Sequence, residues 1–133
     1  MRLLQLMAGA TEGGAETFFM RLAVALQSSK IDQHLVIRPE PERETRLRDS
    51  GVGLATTKFG GKFDFATRRI LKREIGLFQP DVVLTWMNRA TDFCPRAGDR
   101  GRFCHVGTPR GYYDPKYYRR CDRLVVTTDD LVR

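Results

Sequence analysis

The chain has 133 residues, 41% hydrophobic and 29% charged, with 23 Lys and Arg against 16 Asp and Glu for a formal charge of +7. That length suits one domain with its own hydrophobic core and excludes a second of similar size, and the apolar content excludes a disordered chain. The positive balance favours anionic partners, but Arg38, the group Arg68, Arg69, Lys72 and Arg73, then Arg110, Lys116, Arg119 and Arg120 are scattered and form no nucleic-acid motif, which leaves phosphorylated substrates and an anionic membrane face.

Residues 3–8 are mostly apolar and bounded by glycines, as expected of a central parallel strand buried on both faces. The apolar run is too short for a signal peptide and leads into Thr11-Glu12-Gly13-Gly14 without a cleavage region. Ala15, Phe18, Phe19, Leu22, Ala23 and Leu26 then recur at helical spacing, predicting a helix over 15–29. Residues 34–38 form the next strand, stopped by Pro39 and Pro41. A charged helix over 42–50 ends at Gly51, and residues 54–59 form a short strand. Asp64 is placed to cap a helix over 65–78 with Ile70, Leu71, Ile75 and Phe78 on its apolar face, and Pro80 marks its stop. Residues 81–86 read as the clearest buried strand, followed by a polar loop containing Asn88, Pro95 and Gly98, a strand at 103–106 and a last one at 123–126. Strands alternating with helices predict an α/β fold: a doubly wound, mostly parallel, Rossmann-like sheet with helices on both faces. Residues 128–133 read as the first turn of a further helix, so the chain is expected to be part of something longer. No run approaches the ~20 apolar residues of a membrane-spanning helix.

In an open parallel sheet, ligands gather beyond the carboxyl ends of the strands. Gly13 and Gly14 stand there at the mouth of a helix, where glycines let a phosphate approach the backbone and the helix dipole stabilises its charge. The same pair would serve a tight turn, and Glu16 would equally complement the helix dipole. Trp86-Met87-Asn88-Arg89-Ala90 follows the fourth strand, and Gly107-Thr108-Pro109-Arg110-Gly111-Tyr112-Tyr113-Asp114 the fifth. Asn88, Arg89, Arg110, Tyr112 and Tyr113 thus supply an amide, two guanidinium groups and two phenols, a set suited to sugar hydroxyls and phosphates. Trp86, Tyr112 and Tyr117, each taken singly, read better as packing residues with a wet polar tip. His105 falls inside a strand, which favours a structural role, and its neighbour Cys104 must point to the opposite face. Cys94, Cys104 and Cys121 are odd in number and lack metal-ligand spacing, as in a reducing cytosol.

These residues together resemble the N-terminal domain of family-4 retaining glycosyltransferases of the GT-B fold. The resemblance lies in Leu4-Gln5-Leu6-Met7 leading to Gly13-Gly14-Ala15-Glu16-Thr17, in Phe78-Gln79-Pro80-Asp81-Val82-Val83-Leu84-Thr85-Trp86-Met87-Asn88-Arg89-Ala90, and in the segment from Gly111 to Asp122. The Trp-Met-Asn-Arg-Ala and Gly-Tyr-Tyr segments are similar to a bacterial lipopolysaccharide-type branch. The resemblance implies sugar transfer from a nucleotide-diphosphate sugar donor to a glycan or glycolipid acceptor, in cell-envelope polysaccharide or lipopolysaccharide synthesis. It implies no required metal, and no cofactor is expected. Residues 1–133 would be the acceptor-side half, with Gly13 and Gly14 approaching the donor phosphates and Glu16, Asn88, Arg89, Arg110, Tyr112 and Tyr113 facing the acceptor. A C-terminal half, absent from this sequence, would supply most donor contacts, so the 133-residue chain is expected to be inactive alone. The resemblance fits a cytoplasmic enzyme, peripheral at the inner membrane face, whose partners do not include nucleic acid. Many members carry a histidine in the loop after the fifth strand, where this sequence has Thr108, Pro109 or Arg110, so the catalytic residue is not assigned.

Other classes fit less well. A non-catalytic Rossmann-like binding module, or a truncated inactive fragment, would share the fold. A nicotinamide oxidoreductase would need G-x-G-x-x-G and a ribose-binding acid where Arg38 and Pro39 stand.

Overall fold

A computed structural model describes residues 1–9, 14–61, 63–95, 103–109 and 115–125. Their elements are β1 (Arg2–Met7), α1 (Gly14–Gln27), β2 (Asp32–Ile37), α2 (Pro41–Asp49), β3 (Gly53–Thr56), α3 (Phe65–Phe78), β4 (Val82–Trp86), α4 (Met87–Phe93), β5 (Cys104–Thr108), a short 3-10 turn (Pro115–Tyr118) and β6 (Arg123–Leu124). The strands form one sheet in the order β3-β2-β1-β4-β5-β6, with every pairing parallel. The expected doubly wound α/β sheet is therefore present.

Side-chain alternation along the strands separates two cores. Leu4, Leu6, Val36 and Val83 meet Phe59, Leu71, Ile75, Ala90, Phe93 and Phe103 beneath α3 and α4. Met7, Leu35, Ile37 and Trp86 meet Phe19, Met20, Ala23, Leu47 and Val52 beneath α1 and α2. Each fully buried large apolar side chain contributes about 1.5–3 kcal/mol relative to exposure, so both faces of the sheet must be covered. The order of strands changes direction between β1 and β4, with α1 leaving on one face and α4 on the other.

Gln5 is fully buried in β1 among these apolar neighbours. The indole Nε1 of Trp86 donates to Gln5 Oε1 at 2.9 Å, the Gln5 amide donates to Gln33 Oε1, and Gln33 Nε2 donates to the carbonyl of Ala23 at 2.9 Å. The relay satisfies the buried polar groups while tying β4, β1 and β2 to α1.

Several expectations are corrected. The buried stripe of α1 is Glu16, Phe19, Met20 and Ala23, spaced i, i+3, i+4, i+7. Phe18, expected on that face, is 45% exposed. Pro41 does not merely stop a strand but begins α2, where its missing N–H costs nothing; the Glu40 side chain caps that helix by accepting from Arg43 N at 2.7 Å. Gly51 follows α2 with φ of +89°, a left-handed conformation glycine adopts freely.

β3 ends at Thr56 rather than 59, because Phe59 turns into the core with φ of 47° and its N–H bonds Thr67 Oγ1 instead of a strand neighbour. The polar loop expected after β4 begins instead with α4. Met87, at φ of 65°, turns the chain, and burial of Ala90, Thr91 and Phe93 holds a helix that has no side-chain cap. β5 runs two residues further than expected, to Thr108; β6 covers only Arg123–Leu124, and Val126 lies outside the described residues.

Candidate functional site

At the carboxyl edge of the sheet, the turn after β3, the first turn of α3, helix α4 and the 3-10 turn enclose a cleft of about 310 Å³. Gly60, Gly61, Arg68, Asn88, Arg89, Asp92, Phe93 and Tyr117 line it. Its floor is set by packing: Phe59 and Phe93 meet edge to face with ring centroids 5.9 Å apart, and the Arg68 guanidinium lies 4.8 Å from the Phe93 ring centre.

The glycine turn is held from two sides. Asp64 caps α3, accepting from Thr67 N at 3.0 Å and Thr67 Oγ1 at 2.6 Å, and also accepts from Gly60 N at 2.6 Å. The Thr67 side-chain bond, then the backbone N–H groups of Thr67 and Gly60, hold its carboxyl well below the usual carboxylate range, at about 2. From the other side Arg89 Nη1 donates to the carbonyl of Phe59 at 3.1 Å and to that of Gly60. Arg89 therefore latches α4 to the β3–α3 turn through one corner of its guanidinium while facing the cleft. The Asn88 side chain, half-buried beside it, makes no hydrogen bond among the described residues. Two guanidinium groups, an amide and a phenol against one carboxylate, Asp92, suit a ligand with hydroxyls and a negative charge.

The expected site residues divide into groups. Asn88 and Arg89 share this cleft. Gly14 opens α1 and is exposed, and a Cβ there would have nothing within 4 Å beyond its own helix among the described residues. Glu16 is buried beside Gly9, two residues after β1: a methyl group on Gly9 would come within 2.5 Å of its Oε1. Neither Gly14 nor Glu16 lines the cleft. Gly13, Arg110, Tyr112 and Tyr113 lie outside the described residues. Gly60, Gly61, Arg68 and Asp92 were not anticipated, although Gly60-Gly61 after a strand is the same signal as Gly13-Gly14. Tyr117, expected to pack, is half-buried on the cleft wall.

His105 is buried in β5, its Nε2 2.9 Å from Thr85 Oγ1, which in turn lies 2.9 Å from Thr91 Oγ1. Burial, then the charge of Arg120, push the ring down to about 4. Cys121 Sγ lies 3.8 Å from the same nitrogen, and burial pushes its thiol up to about 11. A nucleophilic cysteine needs the reverse, a depressed thiol beside a charged imidazole, so this pair is structural. Burial raises the Cys94 thiol further, and all three cysteines are free. Among the described residues, no group of three His, Cys, Asp or Glu side chains is placed to hold a metal ion.

A parallel sheet wound on both faces, with a polar cleft at its carboxyl edge, defines a Rossmann-like domain. No family model matches the chain. The lipopolysaccharide core biosynthesis glycosyltransferase LpsD of Rhizobium meliloti (strain 1021) is 30% identical over 127 residues, covering 91% of this chain and 35% of that protein. The crystal structure of Acinetobacter baumannii MurG aligns with a TM-score of 0.66 at 13% identity, over 98% of this chain and 42% of that one. The chain thus spans about a third of the length of its curated relative. It is homologous to a lipopolysaccharide-type glycosyltransferase and has the fold of one Rossmann-like half of a GT-B enzyme, in accord with the motifs.

Proposed function

We propose that residues 1–133 form the N-terminal, acceptor-side domain of a retaining transferase that moves a sugar from a nucleotide-diphosphate sugar to a glycan or glycolipid in lipopolysaccharide or other envelope polysaccharide synthesis. The observation that carries this reading is the cleft in which Asn88 and Arg89 meet Arg68 and the Gly60-Gly61 turn, in a chain homologous to a lipopolysaccharide core glycosyltransferase. Its volume of about 310 Å³ lies at the small end of ligand pockets and suits the terminal sugar of an acceptor better than a whole nucleotide sugar. Guanidinium groups and an amide orient hydroxyls and neutralise an anionic substituent. The donor diphosphate would approach from the other face, at the start of α1, where Gly14 leaves space and the dipole of a 14-residue helix favours negative charge. A second domain would hold the rest of the donor, and the enzyme would work in the cytoplasm at an anionic membrane face.

The test is steady-state kinetics of the full-length protein with Asn88→Ala. Because the Asn88 side chain makes no hydrogen bond among the described residues, its loss leaves the fold intact. The acceptor KM rises about 5- to 30-fold, the value of one or two hydrogen bonds, while the KM for the nucleotide sugar is unchanged. An unchanged acceptor KM, or a rise confined to the donor, would overturn the assignment.

A further inference from the structure

Three buried polar side chains meet at the inner face of α4, and none of them lines the cleft. Thr85 of β4, Thr91 of α4 and His105 of β5 are 0%, 2% and 4% exposed. Thr91 Oγ1 donates to the carbonyl of Met87 at 2.7 Å, Thr85 Oγ1 lies 2.9 Å from Thr91 Oγ1, and His105 Nε2 lies 2.9 Å from Thr85 Oγ1. A carbonyl can only accept, and each hydroxyl has one proton to give. The Thr91 proton is therefore committed to Met87, the Thr85 proton to Thr91, and Thr85 must accept from His105. That fixes the ring as the Nε2–H tautomer, to which Cys121 Sγ, 3.8 Å from the same nitrogen, cannot donate. Burial holds the ring down to about 4, so near neutral pH it carries a single proton and the relay runs one way.

The relay ends where α4 most needs support. Met87 follows β4 with no intervening loop and turns the chain at φ of 65°, a conformation that methionine does not favour. The helix it starts has seven residues and no side-chain cap, and the next two residues are Asn88 and Arg89. From this arrangement we propose that Thr85, Thr91 and His105 are positioning residues for the acceptor cleft: by holding the Met87 carbonyl on Thr91, the relay from β5 through β4 sets where α4 presents Asn88 and Arg89. The inference rests on the cleft being the acceptor site and adds three residues that never touch the acceptor.

Nitrogen NMR of the His105 ring tests the direction of the relay in the unaltered protein: the proton is expected on Nε2 at neutral pH, and a proton on Nδ1 alone would overturn the proposal. The hold on α4 is tested in the full-length protein with three variants. Thr85→Val keeps the shape and removes the hydroxyl, Thr85→Ser keeps the hydroxyl, and Leu35→Ala, in the core beneath α1 and α2, costs stability away from the relay. Thr85→Val is expected to raise the acceptor KM about three- to tenfold, the worth of one hydrogen bond, with the donor KM unchanged. Amide exchange at Thr91 and Asp92 becomes at least about fivefold faster in the same variant. Thr85→Ser stays close to the unaltered protein in both readouts, and Leu35→Ala moves neither. Equal effects of Thr85→Val and Leu35→Ala, or unchanged exchange in Thr85→Val, would overturn the proposal. If Asn88→Ala raises the acceptor KM and Thr85→Val does not, the proposal fails while the acceptor reading stands. Exchange needs no acceptor, so faster exchange in Thr85→Val alone supports the hold on α4 even where Asn88→Ala leaves the acceptor KM unchanged.

Discussion

Gln5 shows how one polar residue in an apolar strand can fix a core. Its amide receives the Trp86 indole N–H and donates to Gln33, so Gln5→Leu keeps the bulk but orphans a buried donor on one side and an acceptor on the other. Chemical denaturation should show a loss of about 2–4 kcal/mol; a loss below 1 kcal/mol would mean that the relay is not a unit. His105 makes a prediction in pH. Its folded value is depressed from 6.5 to about 4, so the unfolded chain binds the extra proton between those values. The stability of the neutral ring is complete above pH 6.5 and is lost as pH falls towards 4, by about 3 kcal/mol in all. His105→Gln should flatten the stability profile in that window. Asp64, depressed to about 2, has the same sign in a lower window: its contribution is present above the ordinary carboxylate value and fades as pH falls through about 2. The cap at Asp64 was legible because an acid three residues ahead of Thr67 is a local pattern. The burial of Glu16 against Gly9 was not, since it depends on how α1 docks on β1.

Helices with strong local signals emerge where their patterns place them, and those held by tertiary contacts do not. α3 spans the residues its spacing predicts, with its cap and its Pro80 stop. α4 has no capping side chain and only seven residues; such a helix is marginal alone and forms because the core beneath it is apolar. The left-handed turn at Met87 that starts it carries no marker in the sequence, since methionine has no special liking for positive φ. Asn88 and Arg89 could be named because they directly follow the clearest strand, whereas Gly60, Gly61 and Arg68 join them only once the core places α4 against the β3–α3 turn. The β5–β6 edge makes its own prediction. A methyl group on Gly107 would lie 2.7 Å from the Tyr118 ring, 2.8 Å from Cys121 Sγ and 3.1 Å from Leu124. Gly107→Ala should therefore cost about 1–3 kcal/mol and loosen the 3-10 turn from β5, read as faster amide exchange at Tyr118 and Cys121. Unchanged exchange would show that those side chains move aside freely.

At the scale of the whole molecule, the alternation of strands and helices made the α/β class and the parallel sheet readable, because each buried strand and each capped helix announces itself locally. The order of the sheet changes direction between β1 and β4, and Gly14 opens α1. What a ligand would meet in the cleft depends on groups brought together from distant segments. The proposed division of work puts the acceptor on this half and the nucleotide mainly on the other. The most direct test is calorimetric titration of the chain with UDP, GDP and UDP-sugars, beside the Gly14→Val variant, whose Cβ would have open space beyond its own helix among the described residues. Binding weaker than about a millimolar, roughly 4 kcal/mol, is expected for both proteins. Micromolar nucleotide binding that Gly14→Val abolishes would show that this domain holds the donor by itself and would contradict the division.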